Sequence, residues 1–193
     1  MIAITRAATF VAAALLTTTA FADAPKHYAS DASKSSLEFA FVQAGAQNKG
    51  KFTKFQVALE AAPDGSSVTR LEVTVDMTSM DTGDKERDDT LRGADLFAVA
   101  KFPQAHFVAT QITKSGTGFD AVGKLTLRGV ARDQHVPFTL RSVNEQGRAV
   151  SYLTGKTTVH RLDYGVGQGE WKSTEWVGND VTVSYNVRLV AAP

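Results

Sequence analysis

The residues best equipped for metal binding or proton transfer are four histidines, His27, His106, His135 and His160. No two of them stand at i, i+2 or i, i+4, and no H-E-x-x-H occurs, so no local ligand set forms. The chain has no cysteine. That removes disulfides, thiolate metal sites and a Cys nucleophile together. A G-x-S-x-G nucleophile elbow and a phosphate-binding G-x-x-x-x-G-K-[ST] are both absent. The run Gly165-Val166-Gly167-Gln168-Gly169-Glu170 only superficially matches a dinucleotide fingerprint. Its third glycine is displaced, with Glu at 170, and no long helix starts there. It reads as a loop that needs positive φ. The acids Asp84, Glu86, Asp88 and Asp89 lack the spacing of a calcium loop. Interleaved with Lys85, Arg87 and Arg92, they read as a solvated helix face. No catalytic residue, metal ligand or cofactor is assigned.

The elements that would position such residues begin after a leader. Residues 1–22 carry Arg6, an apolar run from Ala7 to Leu16, and Ala20-Phe21-Ala22. This is the pattern of a cleaved secretory signal, expected to be cut after Ala22. An exported mature domain of residues 23–193 is expected to follow. The apolar run is too short to span a bilayer, so no stable membrane anchor is expected. The whole chain has 21 Lys+Arg against 20 Asp+Glu, and removing Arg6 leaves 21 − 1 = 20 of each. A formally neutral chain is not expected to bind nucleic acid.

From residue 23 on, 19 Val and 16 Thr make a composition suited to strands. Period-two alternation recurs at Leu37-Phe39-Phe41, Phe55-Val57-Leu59 and Leu71-Val73-Val75-Met77. Further strands are predicted over 105–112, 119–127, 134–143, 149–159 and 181–189. Pro137 is expected at a bulge or an edge, because it cannot donate to a ladder. A short helix is predicted from Asp84 to Arg92, capped by Asp84 and interrupted at Gly93. About eight sequential antiparallel strands result, with a helical insert between the third and fourth. Their apolar face must be covered in a sandwich or a closed barrel, and periodicity does not choose. Nine phenylalanines remain after residue 22. They serve equally as an aromatic core or as the wall of a tunnel for a long apolar ligand.

Three stretches carry a resemblance. The first is Ser79-Met80-Asp81-Thr82-Gly83 with Arg87-Asp88-Asp89-Thr90-Leu91-Arg92, Asp95-Leu96-Phe97 and Lys101-Phe102-Pro103. The second is Gly123-Lys124-Leu125-Thr126-Leu127-Arg128-Gly129-Val130. The third is Arg161-Leu162-Asp163-Tyr164-Gly165-Val166-Gly167 with Trp176-Val177-Gly178-Asn179-Asp180-Val181. In order and spacing they resemble the YceI-like family of bacterial periplasmic lipid-binding proteins, from about Tyr28 to Leu189. One departure is Ala131-Arg132-Asp133-Gln134-His135, where the family often has a Thr-Lys-Pro-like turn.

The resemblance implies an extended, lipocalin-like antiparallel β-barrel with a helical cap. It also implies a tunnel for a polyisoprenoid, such as a quinone tail, or for another long-chain amphipathic lipid. Homodimers and transient membrane contact are compatible with it. On strand parity the expected tunnel lining is Phe39, Phe41, Phe55, Val75, Met77, Phe107, Phe119, Leu125 and Phe138, with Trp171 and Trp176 near the mouth. Arg161, His160, Arg92 and Lys101 are the expected contacts to a polar or phosphate head. For Arg161 the competing expectation is a loop-locking ion pair with Asp163. Two other functions compete. An enzyme using the barrel as a pocket would need a titratable pair inside it, such as His106 or His160. A stress-protective module for protein partners would need a filled core and an exposed apolar patch.

Overall fold

A computed structural model describes residues 24–192. The expected signal peptide, residues 1–22, lies outside them. Alternating apolar residues build an all-antiparallel sheet whose two ends meet. The strands are β1 (Lys26–Ser30), β2 (Ser36–Gln43), β3 (Ala46–Phe52), β4 (Phe55–Ala61), β5 (Val68–Asp76), β6 (Met80–Asp81), β7 (Gln104–Ser115), β8 (Gly118–Leu127), β9 (Val130–Glu145), β10 (Arg148–His160) and β11 (Asp180–Ala191). Eight of them, β1-β4-β5-β7-β8-β9-β10-β11, close a ring when β11 pairs with β1. The closed barrel expected from the resemblance is therefore the fold, and the sandwich is not.

The remaining strands extend the wall. After the bend at Asp31–Ser35 the chain continues from β1 into β2, which also pairs with β11. After Thr53–Lys54 it continues from β3 into β4, and β3 pairs with β2 and β6. The result is a collar of β2, β3 and β6 above one side of the ring. Parity places Phe39 of β2 over Gly50 of β3, where a Cβ would collide with the phenyl ring. Phe39 in turn stacks on Phe41 and tilts against Phe52, with centroids 6.2 and 5.1 Å away.

Three hairpins, at Ala44-Gly45, Arg128-Gly129 and Gln146-Gly147, place both turn residues at positive φ. This is the mirror-image turn that matches the strand twist. The Arg128-Gly129 turn lets β9 start at Val130, so Ala131 to His135 is strand and not a turn. The helix α1 (Lys85–Arg92) forms where charge and capping predict it. The Asp84 carboxylate accepts from the Arg87 N–H at 3.0 Å, and Gly93 ends the helix. The buried Asp88 turns back and accepts from the Thr82 N–H and hydroxyl at 2.9 and 2.8 Å. That pins the helix to the loop before it.

One end of the barrel is packed solid by Leu59, Ala61, Phe119, Ala121, Phe138 and Leu189. On the outer face near that end, the Arg188 guanidinium bonds Asp31 and Glu145 at 2.7 and 2.8 Å, and Tyr152 donates to Glu145. The Ser33 hydroxyl, with Arg188 beside it, holds the Asp31 carboxyl below its ordinary pKa, and Tyr152 and Arg188 do the same for Glu145.

Candidate functional site

Above that floor the barrel contains a cavity of about 770 Å³. Its wall is mostly apolar, supplied by inward residues of β2, β3, β4, β5, β7, β8, β9, β10 and β11. Val73, Leu125, Val136, Val181 and Val183 point inward by parity and line it, yet neighbours only partly cover them. In a filled core such positions would be closed over. The exposed members of the lining mark the opening. They are Ala44 and Ala46 at the β2–β3 hairpin, and Asp84, Glu86 and Thr90 at α1. Leu91, Phe97 and Trp171 line the cavity and are half-buried.

Most of the expected lining is brought together here. Phe39, Phe41, Phe55, Val75, Met77, Phe107, Leu125 and Trp171 all face the cavity. Three others do not. Phe119 and Phe138 stack on each other at 5.4 Å in the floor, because parity sets the direction of a side chain but not its height in the barrel. Trp176 is 64% exposed and stands outside the lining. It lies beside Val42, the other exposed large hydrophobic among the described residues. Both residues flank the Gln43–Val177 bridge, where the Ala44 N–H donates to the Trp176 carbonyl at 2.7 Å and the Gly178 N–H to the Val42 carbonyl at 2.9 Å.

The expected head-group cations are placed elsewhere. His160 is exposed on the outer parity of β10, 2.8 Å from Asp180. Arg92 staples α1 to the preceding loop by donating to the Thr78 and Met80 carbonyls. Lys101 is exposed and lies over the Phe102 ring, 5.3 Å from its centroid. Arg161 does line the cavity, but its donors are already used and it makes no ion pair with Asp163. Only 3% exposed, it donates to the carbonyls of Gly178, Val166, Trp171, Ser173 and Val177 at 2.7–3.3 Å. Desolvation pushes its pKa below the ordinary arginine value, and the guanidinium stays charged among the carbonyl dipoles. Gly167, at φ +112°, must be glycine, because a Cβ there would strike this guanidinium.

Besides Arg161, the charges that reach the cavity are Asp84, Glu86 and Arg87, with Arg87 3.9 Å from Asp84. Sequence reading passes over them because a helix of mixed charge looks solvated on every side. The available signal is Leu91, the one large apolar residue in α1, which marks its inner face. His106 and His160 are exposed and neither lines the cavity. Among the described residues no three His, Asp or Glu side chains gather as a metal site.

Comparison with known proteins places this geometry. Over 93 residues the chain is 38% identical to a UPF0312 protein of Yersinia pestis (strain Pestoides F), covering 48% of this chain and 46% of that protein, so the match spans about half the relative's length. Burkholderia cenocepacia BcnA superposes with a TM-score of 0.75 at 30% identity, covering 82% of this chain and 98% of that one. A polyisoprenoid binding domain from Saccharophagus degradans shares the fold, with a TM-score of 0.61 at 17% identity, over 86% and 98% of the two chains. The model of the YceI-like domain matches residues 28–189, and the chain belongs to that family.

Proposed function

We propose that this protein is a periplasmic carrier of a long, uncharged amphipathic lipid of the polyisoprenoid class, held by its chain in the barrel. The observation that carries this reading is the apolar cavity of about 770 Å³ with partly uncovered aliphatic side chains facing it. The fold shared with the polyisoprenoid binding domain of Saccharophagus degradans supports it. The leader-like residues 1–22 support export.

The charges favour a neutral ligand. Arg87 shares the mouth with two carboxylates, and Arg161 spends its donors on backbone carbonyls. A phosphate head would find no free cluster of cations there. Moving forty carbons out of water is worth on the order of 30 kcal/mol at ~0.8 kcal/mol each. That exceeds the ~18–21 kcal/mol ceiling of non-covalent affinity, so the relevant exchange is with a bilayer, where the chain is already buried. Near-balanced exchange suits a carrier and needs no catalytic group.

Native mass spectrometry after non-denaturing extraction is expected to show a co-purifying neutral lipid. Protein that is repeatedly bare, and that takes up neither a polyprenol nor a long-chain quinone, would overturn the carrier reading. Val42 and Trp176 beside the mouth are the proposed contact with the membrane, since an exposed Trp favours the headgroup level. Trp176→Ala is expected to slow chain transfer to liposomes severalfold with equilibrium loading unchanged. Equal transfer rates for variant and parent would rule the contact out.

A further inference from the structure

The barrel wall is not continuous beside the cavity. β8 and β9 pair from Phe119↔Phe138 to Leu127↔Val130, and β10 and β11 pair down to His160↔Asp180. Between β9 and β10, however, the ladder stops at Phe138↔Gly155. Residues 130–137 and 156–160 face each other without ladder pairing. Pro137 accounts for the stop, since it has no N–H to continue. Its carbonyl instead accepts from the Tyr185 hydroxyl, whose ring reaches across because Gly155 has no side chain. The β5–β7 ladder also ends early, but Val68 and Leu71 flanking that gap are buried core.

Side chains close the β9–β10 seam. Gln134 Nε2 donates to Thr157 Oγ1 at 2.8 Å and to the Thr158 carbonyl at 3.0 Å, and Thr157 Oγ1 donates to the His135 carbonyl at 2.6 Å. Gln134 and Thr157 line both the interior cavity and an outer recess of about 410 Å³. They are thus polar groups set in an apolar wall, with room behind them. Gln134 is half-buried and its Oε1 accepts from no protein donor among the described residues, while Arg161 and Tyr185, which also line the cavity, are satisfied; the buried polar atoms without a partner, Asp120 Oδ1 and Arg128 Nε, lie outside its lining.

We propose that this seam is the head-group site, where Gln134 and Thr157 hydrogen-bond an uncharged hydroxyl or ring carbonyl of the ligand. The inference rests on the carrier reading above. The tail then lies along the apolar cavity of about 770 Å³, running from the seam toward the mouth. The rest of a longer tail leaves by the mouth, past Leu91, Phe97 and Trp171. Hydrogen bonds at the mouth would discriminate less, because Asp84 and Glu86 there are exposed and already solvated. The chain end, not the head, then faces the membrane.

The test compares solanesol, a long polyprenol, with squalene, a hydrocarbon without a head. The parent protein is expected to prefer solanesol by roughly five- to tenfold, the worth of one or two hydrogen bonds. The Gln134→Leu/Thr157→Val double variant is expected to lose that preference while binding squalene as before, which also shows that it is folded. A preference retained by the variant, or none in the parent, overturns the seam assignment and leaves the carrier reading standing. Failure of the parent to bind either probe overturns the carrier reading itself. A variant that binds neither probe is checked with Gln134→Met, which keeps the side chain's length and removes its amide. The parent's full preference for solanesol over squalene retained by that variant shows that the seam is not the head-group site; loss of the preference supports it.

Discussion

Val73→Trp lowers the affinity for a long apolar chain by roughly 100-fold while the barrel stays folded. Val73 pairs with Val57 on one side and Phe107 on the other, and its inward face is only partly covered. An indole there occupies cavity volume instead of forcing the wall apart. The stability cost should therefore fall at or below the ~1–3 kcal/mol typical of overpacking. Excluding three or four chain carbons at ~0.8 kcal/mol each gives the expected loss. Val75 and Phe107 also line the cavity but are buried among their neighbours. Tryptophan at either would mix blockage with strain. Titration with a fluorescent polyprenol, beside a urea melt, makes the comparison. Unchanged affinity in a folded Val73→Trp protein would show that the chain does not enter the barrel.

The second large effect lies in the segment that completes the cavity wall. Arg161→Ala is expected to cost about 4 kcal/mol in urea denaturation and to abolish chain binding. Five carbonyls lose their donor at once, and orphaned groups cost ~1–3 kcal/mol each before water relaxes them. With domain stabilities of ~5–15 kcal/mol, the variant would sit near its unfolding limit. Binding fails with it, because the cage holds Val166, Trp171 and Val177 in the lining. Arg161→Lys keeps the charge but not the planar fork, so it should recover less than half of the loss. A drop below ~1 kcal/mol for Arg161→Ala would mean that other contacts hold this segment.

The strands of the ring are legible in the sequence because each alternates. Leu71-Val73-Val75-Met77 and Val181-Val183-Tyr185-Val187-Leu189 show their inner faces directly. The strand β3 is not, because Ala46-Gln47-Asn48-Lys49-Gly50-Lys51-Phe52 has no apolar alternation; as part of the collar it needs none. Parity also locates the cavity wall, yet it carries no information on depth, which is why Phe119 and Phe138 fall in the floor. The cations are the least legible, because charge alone selects them. Parity opposes His160 outright, since Val159 beside it faces in. What occupies Arg161 and Arg92, by contrast, is a set of backbone carbonyls, and no sequence pattern marks those.

The pairing of Tyr28 with Ala191 has a consequence for how the protein comes into being. The ring is closed by the two extremities of the domain, the contact with the largest loop-closure entropy in the fold. Until Asp180–Ala191 arrives, the preceding strands have pairings only within two separate pieces, β1-β4-β5-β7-β8-β9-β10 and β2-β3-β6, and no interior exists. The container is the last thing made. A chain emerging from its N-terminus completes every other hairpin before there is an inside for a ligand to occupy.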